Sequence, residues 1–211
     1  MMFIDRLDAS KKLLPRLEKF KKDNPVILAI PRGGIVIAYE AIKKFNFKWD
    51  LIIPRKIGAP YNKEFAIGAV APDGSTFVDD NIKMQNIPKD YIEKEAKNQI
   101  KEIERRYKKY KGNSDYTNVK DRTVIVMDDG IATGFTILAA IKSLKKQGAK
   151  KIIVAVPVAP LDTIKFLERL VDEVIVLLSP KTFYAVGSYY ESFKQVTDKE
   201  VLNMLNRLDK E

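Results

Sequence analysis

Two adjacent carboxylates followed by a glycine-bearing turn are the residues of this sequence best suited to chemistry. Asp128 and Asp129 end the apolar run 124–127, and the chain continues through Gly130, Ile131, Ala132, Thr133, Gly134, Phe135 and Thr136. An apolar helical pattern begins there, and the backbone N–H groups at a helix start favour phosphate. Carboxylates repel phosphate, so the natural partners of the two acids are hydroxyls, cations or metal-bound water. A 5-phosphorylated sugar would satisfy both halves of this stretch.

Two other interpretations use fewer of these residues. Acids before a helix can serve as an ordinary N-cap and first turn. A receiver-type pocket, which accepts a phosphoryl group on an aspartate, collects its acids from separate strand ends and gains nothing from a Thr-Gly-x-Thr helix start. The complete pattern therefore favours a phosphate and hydroxyl site over both alternatives.

Strand and helix patterns alternate along the chain and determine where this stretch lies. Apolar runs predict strands at 26–30, 49–53, 122–127, 152–156 and 174–178, with a shorter pair at 66–71 and 75–79. Helical periodicity predicts helices at 9–22, 35–45, 89–111, 135–147, 161–170 and 198–208. We expect Asp8 to cap the first helix, with a kink or late start at Pro15, and Thr197 or Asp198 to cap the last.

This alternation predicts an α/β fold with a doubly wound, mainly parallel sheet. The carboxyl ends of parallel strands lie at one edge of such a sheet, above a topological switch point. Unusual residues follow four of the predicted strands, at 31–34, 54–58, 128–134 and 179–187. We therefore expect these four segments to converge on one cleft.

Residues 124–136 resemble the phosphoribosyl diphosphate signature of the type I phosphoribosyltransferases. Four hydrophobic residues, two acids, two variable residues, a small residue and Thr-Gly-x-Thr occur in the same order. Gly130 is a mild departure, because an aliphatic residue is usual at that position. The resemblance implies that Asp128 and Asp129 bind the ribose 2- and 3-hydroxyls, that residues 132–136 surround the 5-phosphate, and that all of 128–136 belongs to the site.

Two further segments extend the resemblance. Arg32, Gly33 and Gly34 resemble the family's pyrophosphate loop, in which a glycine-rich turn bares amides and an arginine can fork onto phosphate oxygens. Arg55 and Lys56 lie where the family often carries a second basic contact to pyrophosphate. Taken alone, the two segments would be a plain turn with a surface arginine and an exposed basic pair. The run from residue 55 to 70 is similar to a subgroup of predicted phosphoribosyltransferases without a settled acceptor.

The resemblance implies transfer of a 5-phosphoribosyl group from phosphoribosyl diphosphate to a nitrogenous base, with release of pyrophosphate. Mg²⁺ would be bound mainly through the diphosphate substrate, with no metal site formed by protein ligands alone. Arg32 and Lys56 would take up charge on the departing pyrophosphate, while Asp128 and Asp129 hold the ribose hydroxyls. Glu64 is a candidate acid or base, and its other interpretation is a solvated loop charge.

One further departure narrows the acceptor. The 6-oxopurine members of the family carry an aspartate base at the position of Ala132, which argues against a hypoxanthine-guanine enzyme. Adenine, pyrimidine or other acceptors remain open. Phe183, Tyr184 and Val186 follow the last strand, where family members often stack and orient the base. The alternative for these three residues is a small hydrophobic cap over the sheet.

We expect the chain to form one phosphoribosyltransferase domain over residues 1–211. Its core would cover about 24–180, a small hood would come from 1–23 and 181–211, and the long helix would form an insertion at 88–112. That helix would pack across the domain or against a second copy, and a homodimer is the expected assembly.

Composition excludes several classes of protein. The 211 residues carry a net charge of +10 and contain no cysteine and no histidine. Disulfides and thiol metal sites are therefore excluded, and the commonest general base is absent. No apolar run approaches the roughly 18 residues of a membrane span, and no secretory signal is evident, so we expect a cytoplasmic protein. The charge is compatible with nucleic acid, but scattered lysine pairs favour a lysine-rich surface.

Two alternative functions remain at this point. A regulatory protein could keep the phosphoribosyl diphosphate pocket without the transfer reaction. A Rossmann-type dinucleotide protein is disfavoured, because Pro-Arg-Gly-Gly follows the first strand in place of Gly-x-Gly-x-x-Gly.

Overall fold

The computed structural model describes residues 2–79, 87–113 and 115–209. In chain order, its helices and strands are α1 Arg6–Leu17, β1 Val26–Ala29, α2 Gly33–Phe45, β2 Lys48–Leu51, β3 Arg55–Gly58, β4 Ala66–Val70, β5 Thr76–Val78, α3 Lys89–Lys111, β6 Thr123–Met127, α4 Phe135–Lys146, β7 Lys151–Val158, α5 Leu161–Leu167, β8 Glu173–Leu178 and α6 Asp198–Leu208. Within these described ranges, no helix has the combined length and apolar character that crossing a membrane requires.

The described residues divide into two compact units. The first unit draws on residues 1–51, 116–133 and 148–211, and the second on 52–115 and 134–147. The predicted division into a core, a hood and a helical insertion stays a prediction.

A five-stranded parallel sheet with the order β2-β1-β6-β7-β8 forms the centre of the first unit. Every residue of β1 and β6 is buried, as expected for strands that are covered on both faces. The strand order reverses between the neighbours β1 and β6. In open α/β sheets, ligands bind outside the carboxyl ends of the strands at such a switch point. The predicted fold class, a doubly wound and mainly parallel α/β fold, is confirmed.

The two chain ends of the first unit pair with each other. The N–H of Phe3 donates to the carbonyl of Tyr189, and the N–H of Glu191 donates to the carbonyl of Phe3, each at 2.8 Å. The ring of Phe3 also packs on Tyr190, with centroids 5.3 Å apart. The segments predicted to form a hood are therefore joined to one another.

The first helix begins earlier than predicted. Asp5, and not Asp8, is its N-cap: the backbone of Asp5 is extended, and its side chain accepts a hydrogen bond from the N–H of Asp8. Asp8 lies in the first turn, where its carboxylate pairs with Lys12 at 2.7 Å. Pro15 lies inside the helix, which gives way after Leu17 to a 3₁₀ helix over Glu18–Asp23. The prediction of an Asp8 cap was wrong because an acid three residues earlier satisfies the first-turn N–H.

Other predicted boundaries move by a few residues. β7 extends through Pro157 to Val158, since its pairing with β8 continues to the pair Val158–Leu178. The final helix is capped as predicted by Thr197, which forms a reciprocal capping box with Glu200.

The second unit contains a three-stranded antiparallel sheet with the order β3-β4-β5. The predicted pair β4 and β5 is confirmed, whereas β3 was missed because its first two residues are charged and resemble a loop. Ala69 and Ala71 pack on Ala139 of α4, with Phe77 and Phe135 beside them. The long helix α3 has the predicted bounds and ends at Gly112, whose φ is 76°.

Candidate functional site

Asp128 and Asp129 directly follow β6, at the switch point of the parallel sheet. The N–H of Asp129 donates to Oδ1 of Asp128 at 2.8 Å, which holds the two acids in a tight turn. Burial raises the pKa of Asp128 well above its ordinary range, and the neighbouring Asp129 carboxylate raises it further. Two adjacent carboxyl groups, one of them with a raised pKa, are typical of a site that binds hydroxyl donors or cations.

Arg6, from the first residue of α1, is the partner of Asp129. Its Nε lies 2.7 Å from Oδ2 of Asp129, and the two side chains are only 11% and 17% exposed. Its Nη1 donates to the carbonyl of Lys194 at 2.8 Å, and its guanidinium lies 3.7 Å from the ring centroid of Phe193. The hydroxyl of Tyr190 donates to the backbone carbonyl of Asp129 at 2.6 Å. Both chain ends therefore hold this acid.

Sequence analysis missed Arg6 and Tyr190 as neighbours of the acids. A weak local signal existed for Arg6, since a cation in the first turn of a helix opposes the helix dipole. Such a mismatch suggests a partner outside the helix, but it does not identify Asp129 as that partner.

Gly33 and Gly34 bring the start of α2 against the acidic turn. A Cβ atom on Gly33 would lie 1.8 Å from Oδ2 of Asp129, and one on Gly34 would lie 2.5 Å from the carbonyl oxygen of Met127. Only glycine allows this approach. The peptide bond between Pro31 and Arg32 is cis. The structure thus brings the predicted pyrophosphate loop and the two acids together.

Arg32 points toward the C-terminal helix of the same unit. Its Nη1 lies 3.7 Å from Oδ1 of Asp198, and both side chains are about one-third exposed, at 32% and 37%. A long, solvent-screened pair of this kind is weak. The guanidinium can therefore exchange this partner for a stronger anion.

Gly130 departs from the family pattern for a steric reason. A Cβ atom there would lie 2.5 Å from Cγ1 of Val186 and 2.9 Å from Cγ1 of Val158. Ile131 is buried, and its N–H donates to the carbonyl of Val158 at 2.9 Å. Val186, predicted to contact the base, therefore packs directly on the acidic turn.

The rest of the predicted phosphate loop is divided along the chain between the two units. Ala132 and Thr133 are exposed, and the carbonyl of Ala132 accepts a hydrogen bond from Oγ1 of Thr163. Gly134, with a φ of 77°, is the N-cap of α4. Because glycine has no side chain, no side-chain cap is formed at this residue. Phe135 and Thr136 form its first turn, and the Phe135 ring packs on Phe77.

The two aromatic residues predicted to contact the base, Phe183 and Tyr184, differ in their contacts and exposure. Phe183 stacks on Tyr189 with centroids 5.4 Å apart, and the hydroxyl of Tyr189 donates to the carbonyl of Thr182. Tyr184 is 84% exposed. Phe183 is therefore held in place within the first unit, whereas the Tyr184 ring extends into solvent.

The basic and acidic residues predicted near the second strand belong to the second unit. Arg55 and Lys56 open β3, and the Nε of Arg55 donates to Oε1 of Gln99 at 2.6 Å. Burial lowers the pKa of Arg55. Lys56 is exposed, and exposed Glu64 lies in the turn before β4, where its N–H donates to Oδ1 of Asn62.

The described residues form two sizeable clefts. One of about 390 Å³ lies in the first unit beside Arg6, between Val36 of α2 and Met204 of α6. A groove of about 910 Å³ lies in the second unit between β5 and α3, and no predicted site residue is among its described lining residues. The described residues that line the smaller cleft likewise include no predicted site residue, and Arg6 is the lining residue that contacts Asp129.

Comparisons with known proteins identify the family of the chain. A family model described as phosphoribosyl transferase domain matches residues 5–191. The protein named "Putative phosphoribosyl transferase Rv0571c", from Mycobacterium tuberculosis strain H37Rv, is 34% identical over 207 residues, which cover 98% of this chain and 47% of that protein. The chain thus spans about half the length of the curated relatives it matches.

A solved structure matches the whole chain. The crystal structure of TT1426 from Thermus thermophilus is 35% identical, covers 99% of both chains and superimposes with a TM-score of 0.82. Together with the matched family model, this likeness shows that the chain belongs to the phosphoribosyl transferase family.

Proposed function

We propose that this chain transfers a 5-phosphoribosyl group from phosphoribosyl diphosphate to a nitrogenous acceptor and releases pyrophosphate. One observation carries the proposal: Asp128 and Asp129 lie against the glycine-rich start of α2 at the switch point of the sheet. Two carboxylates that can accept hydrogen bonds from hydroxyls thereby lie beside a helix N-terminus, where phosphate binding is favoured. Phosphoribosyl diphosphate presents ribose hydroxyls next to a diphosphate, so its chemistry suits this juxtaposition.

In the proposed reaction, the ribose hydroxyls donate hydrogen bonds to Asp128 and Asp129. The bond between C1 and the pyrophosphate oxygen breaks, and its electron pair leaves with pyrophosphate. The lone pair of the acceptor nitrogen forms the new bond to C1, and the nitrogen proton passes to Glu64 or to solvent. The acidic pair stabilises the positive charge that develops on the ribose, and a preorganised contact of this kind is worth about 3–4 kcal/mol.

Arg32 and Lys56 would bind the departing pyrophosphate. The pair that Arg32 forms with Asp198 is weak, and a guanidinium suits two phosphate oxygens at once. Lys56 is exposed at the start of β3.

We propose that a magnesium ion would be carried mainly by the diphosphate substrate. Among the residues that the structure describes, no group of three or more acidic, histidine or cysteine side chains could hold a metal ion. Oxygen ligands from a diphosphate are what Mg²⁺ commonly uses, with few protein carboxylates. When bound, Mg²⁺ would neutralise charge on the diphosphate.

The acceptor class follows from what lies at position 132. Ala132 offers no carboxylate, so we propose an acceptor other than a 6-oxopurine. Val186, which packs on the acidic turn, and Phe183 are the proposed base contacts. The homodimer and the cytoplasmic location stay predictions.

A pyrophosphate-release screen against purines, pyrimidines and small amines, with Mg²⁺ and phosphoribosyl diphosphate, tests the proposal. We expect release with at least one acceptor, and Asp129→Asn should lower the rate by about 10²–10³-fold. Asp162→Asn on the exposed face of α5 is the matched control and should leave the rate unchanged.

Other results would contradict the proposal. Thermal stabilisation by phosphoribosyl diphosphate without release on any acceptor would support a binding or regulatory protein. An Asp129→Asn variant with full turnover would remove the role assigned to the acids.

A further inference from the structure

The guanidinium of Arg6 contacts three residues, of which one is an acid of the candidate site and two belong to the C-terminal segment. Its Nε binds Asp129, its Nη1 binds the carbonyl of Lys194, and its guanidinium stacks on Phe193. Phe193 is itself fixed, since its ring packs on Tyr190 at 4.9 Å between centroids. This guanidinium is therefore held in one position and does not sample the surface freely.

The surroundings are built to accept this ion pair. A Cβ atom on Gly33 would lie 1.8 Å from the Asp129 carboxylate and 2.9 Å from the Nε of Arg6. The glycine thus leaves the space in which the two charged groups meet. Tyr190 holds the carbonyl of the same aspartate. Backbone and side chain of Asp129 are consequently fixed from both chain ends.

The ion pair also answers an electrostatic problem. Asp128 and Asp129 are adjacent in sequence and packed together, so their charges repel. A guanidinium on Asp129 offsets this repulsion and keeps its carboxylate from turning away. Its planar fork suits this task better than a lysine ammonium does.

We propose that Arg6 is a positioning residue for the phosphoribosyl site, because it holds the Asp129 carboxylate in the orientation that receives the ribose hydroxyls. This inference rests on the proposed function. Helix α1 would thus affect substrate binding indirectly, by orienting Asp129, and Arg6 itself would not contact the substrate.

Chemical rescue separates this role from simple packing. Arg6→Ala keeps the Cβ atom, and ethylguanidinium replaces the atoms that the substitution removes. Arg6 lines the cleft of about 390 Å³, so the space that the substitution empties adjoins that cleft and is open to a small molecule. The probe is phosphoribosyl diphosphate with Mg²⁺, and the measurements are its Kd by calorimetry and the Tm of each free variant.

We expect Arg6→Ala to weaken probe binding by about 10- to 100-fold, as is typical when a group that orients a site residue is lost. Ethylguanidinium should restore part of the affinity, and ethylammonium should restore less. Arg6→Lys should give an intermediate Kd and serves as the second variant if Arg6→Ala does not fold. Arg16→Ala, on the exposed face of the same helix, is the matched control and should bind like the wild type.

Three results would overturn one of the two proposals. Unchanged affinity in Arg6→Ala would overturn the role of Arg6. Weakened affinity that ethylguanidinium does not restore would also overturn it and leave Arg6 as structural support. No binding of the probe by the wild type would instead overturn the proposed function, and the role of Arg6 with it.

Discussion

In the first unit, half-buried Asp129, which follows β6, is paired with a distant part of the chain. In the second unit, helix α3 carries charged residues that pair with near neighbours at the surface. Asp129 and Arg6 are 123 positions apart in sequence. Glu102 of α3 pairs with Arg105 and Arg106, one turn away, and Arg105 is 61% exposed.

The long-range pair constrains the fold, whereas the local surface pairs contribute little to it. A half-buried, paired acid must be supported by its surroundings, because removing one partner leaves a poorly solvated charge. Exposed helical pairs each contribute little. An adjacent pair of acids destabilises the fold. Specific contacts that hold such a pair in place are expected where function requires the pair.

The largest stability effect is expected from Gly34→Ala, which tests how rigidly the first unit constrains its site. The new Cβ would lie 2.5 Å from the carbonyl oxygen of buried Met127, which is backbone and cannot turn aside. Overpacking of this kind costs about 1–3 kcal/mol. Since each kcal/mol shifts the Tm of a domain this size by about 2–4 °C, thermal unfolding should show a clear decrease.

Gly33→Ala is the matched variant. Its Cβ would meet the Asp129 carboxylate at 1.8 Å and the Nε of Arg6 at 2.9 Å, which are side-chain atoms and can shift, whereas a backbone carbonyl cannot. Alanine also favours the helix, so the Tm should fall less than in Gly34→Ala. Displacement of the carboxylate should nevertheless weaken phosphoribosyl diphosphate binding. Equal Tm values for the two variants would show that the start of α2 adapts, and the proposed contrast between the units would weaken.

Lys56→Gln tests whether the second unit contributes to binding at all. If Lys56 donates to the diphosphate, its loss should weaken binding by about tenfold, because a hydrogen bond to a charged group is worth about 1.5–3 kcal/mol. Lys101→Gln on exposed α3 is the control for general charge. Calorimetry at two salt concentrations measures both, and equal weakening in the two variants would reduce Lys56 to a surface charge.

How much was predictable from sequence depended on how local each signal was. β6 and α3 were predicted because a continuous apolar run and a helical period lie within one segment. β3 was missed because Arg55 and Lys56 have no apolar alternation, and its pairing with β4 stabilises it. The acids and the glycines of the site were recognisable by motif. Arg6 was not, since its role depends on a contact that only the folded chain creates.

Asp128→Asn tests whether the acidic pair reduces stability in return for function. Burial raises the pKa of Asp128 above the ordinary carboxyl value, so the folded state holds this proton more tightly than the unfolded chain does. The folded state loses stability as pH rises through that raised pKa. Asparagine carries no such charge and keeps the oxygen that accepts the N–H of Asp129. We therefore expect a higher Tm at neutral pH.

The gain from Asp128→Asn should shrink on acidification. Below the ordinary aspartate pKa of about 3.9, Asp128 is protonated in both states and resembles asparagine. Unfolding scans from neutral pH down to this range measure the difference, with Asp162→Asn as the exposed control. A lower Tm for Asp128→Asn at neutral pH would mean that the buried carboxylate stabilises the turn.

Glu102→Gln should have the smallest effect and tests the other side of the comparison. Hydrogen bonds from Arg105 and Arg106 lower the pKa of Glu102 to about 2. Its contribution is thus present above the ordinary glutamate pKa of about 4.3 and is lost as pH falls toward the lowered value. Since the pairs are exposed, the substitution should reduce the free energy of unfolding by less than about 1 kcal/mol, and less at high salt. Urea unfolding beside Glu104→Gln, an exposed neighbour on the same helix, measures this loss. A loss comparable to that of Gly34→Ala would mean that surface pairs in the second unit constrain the fold as strongly as the buried contacts of the first.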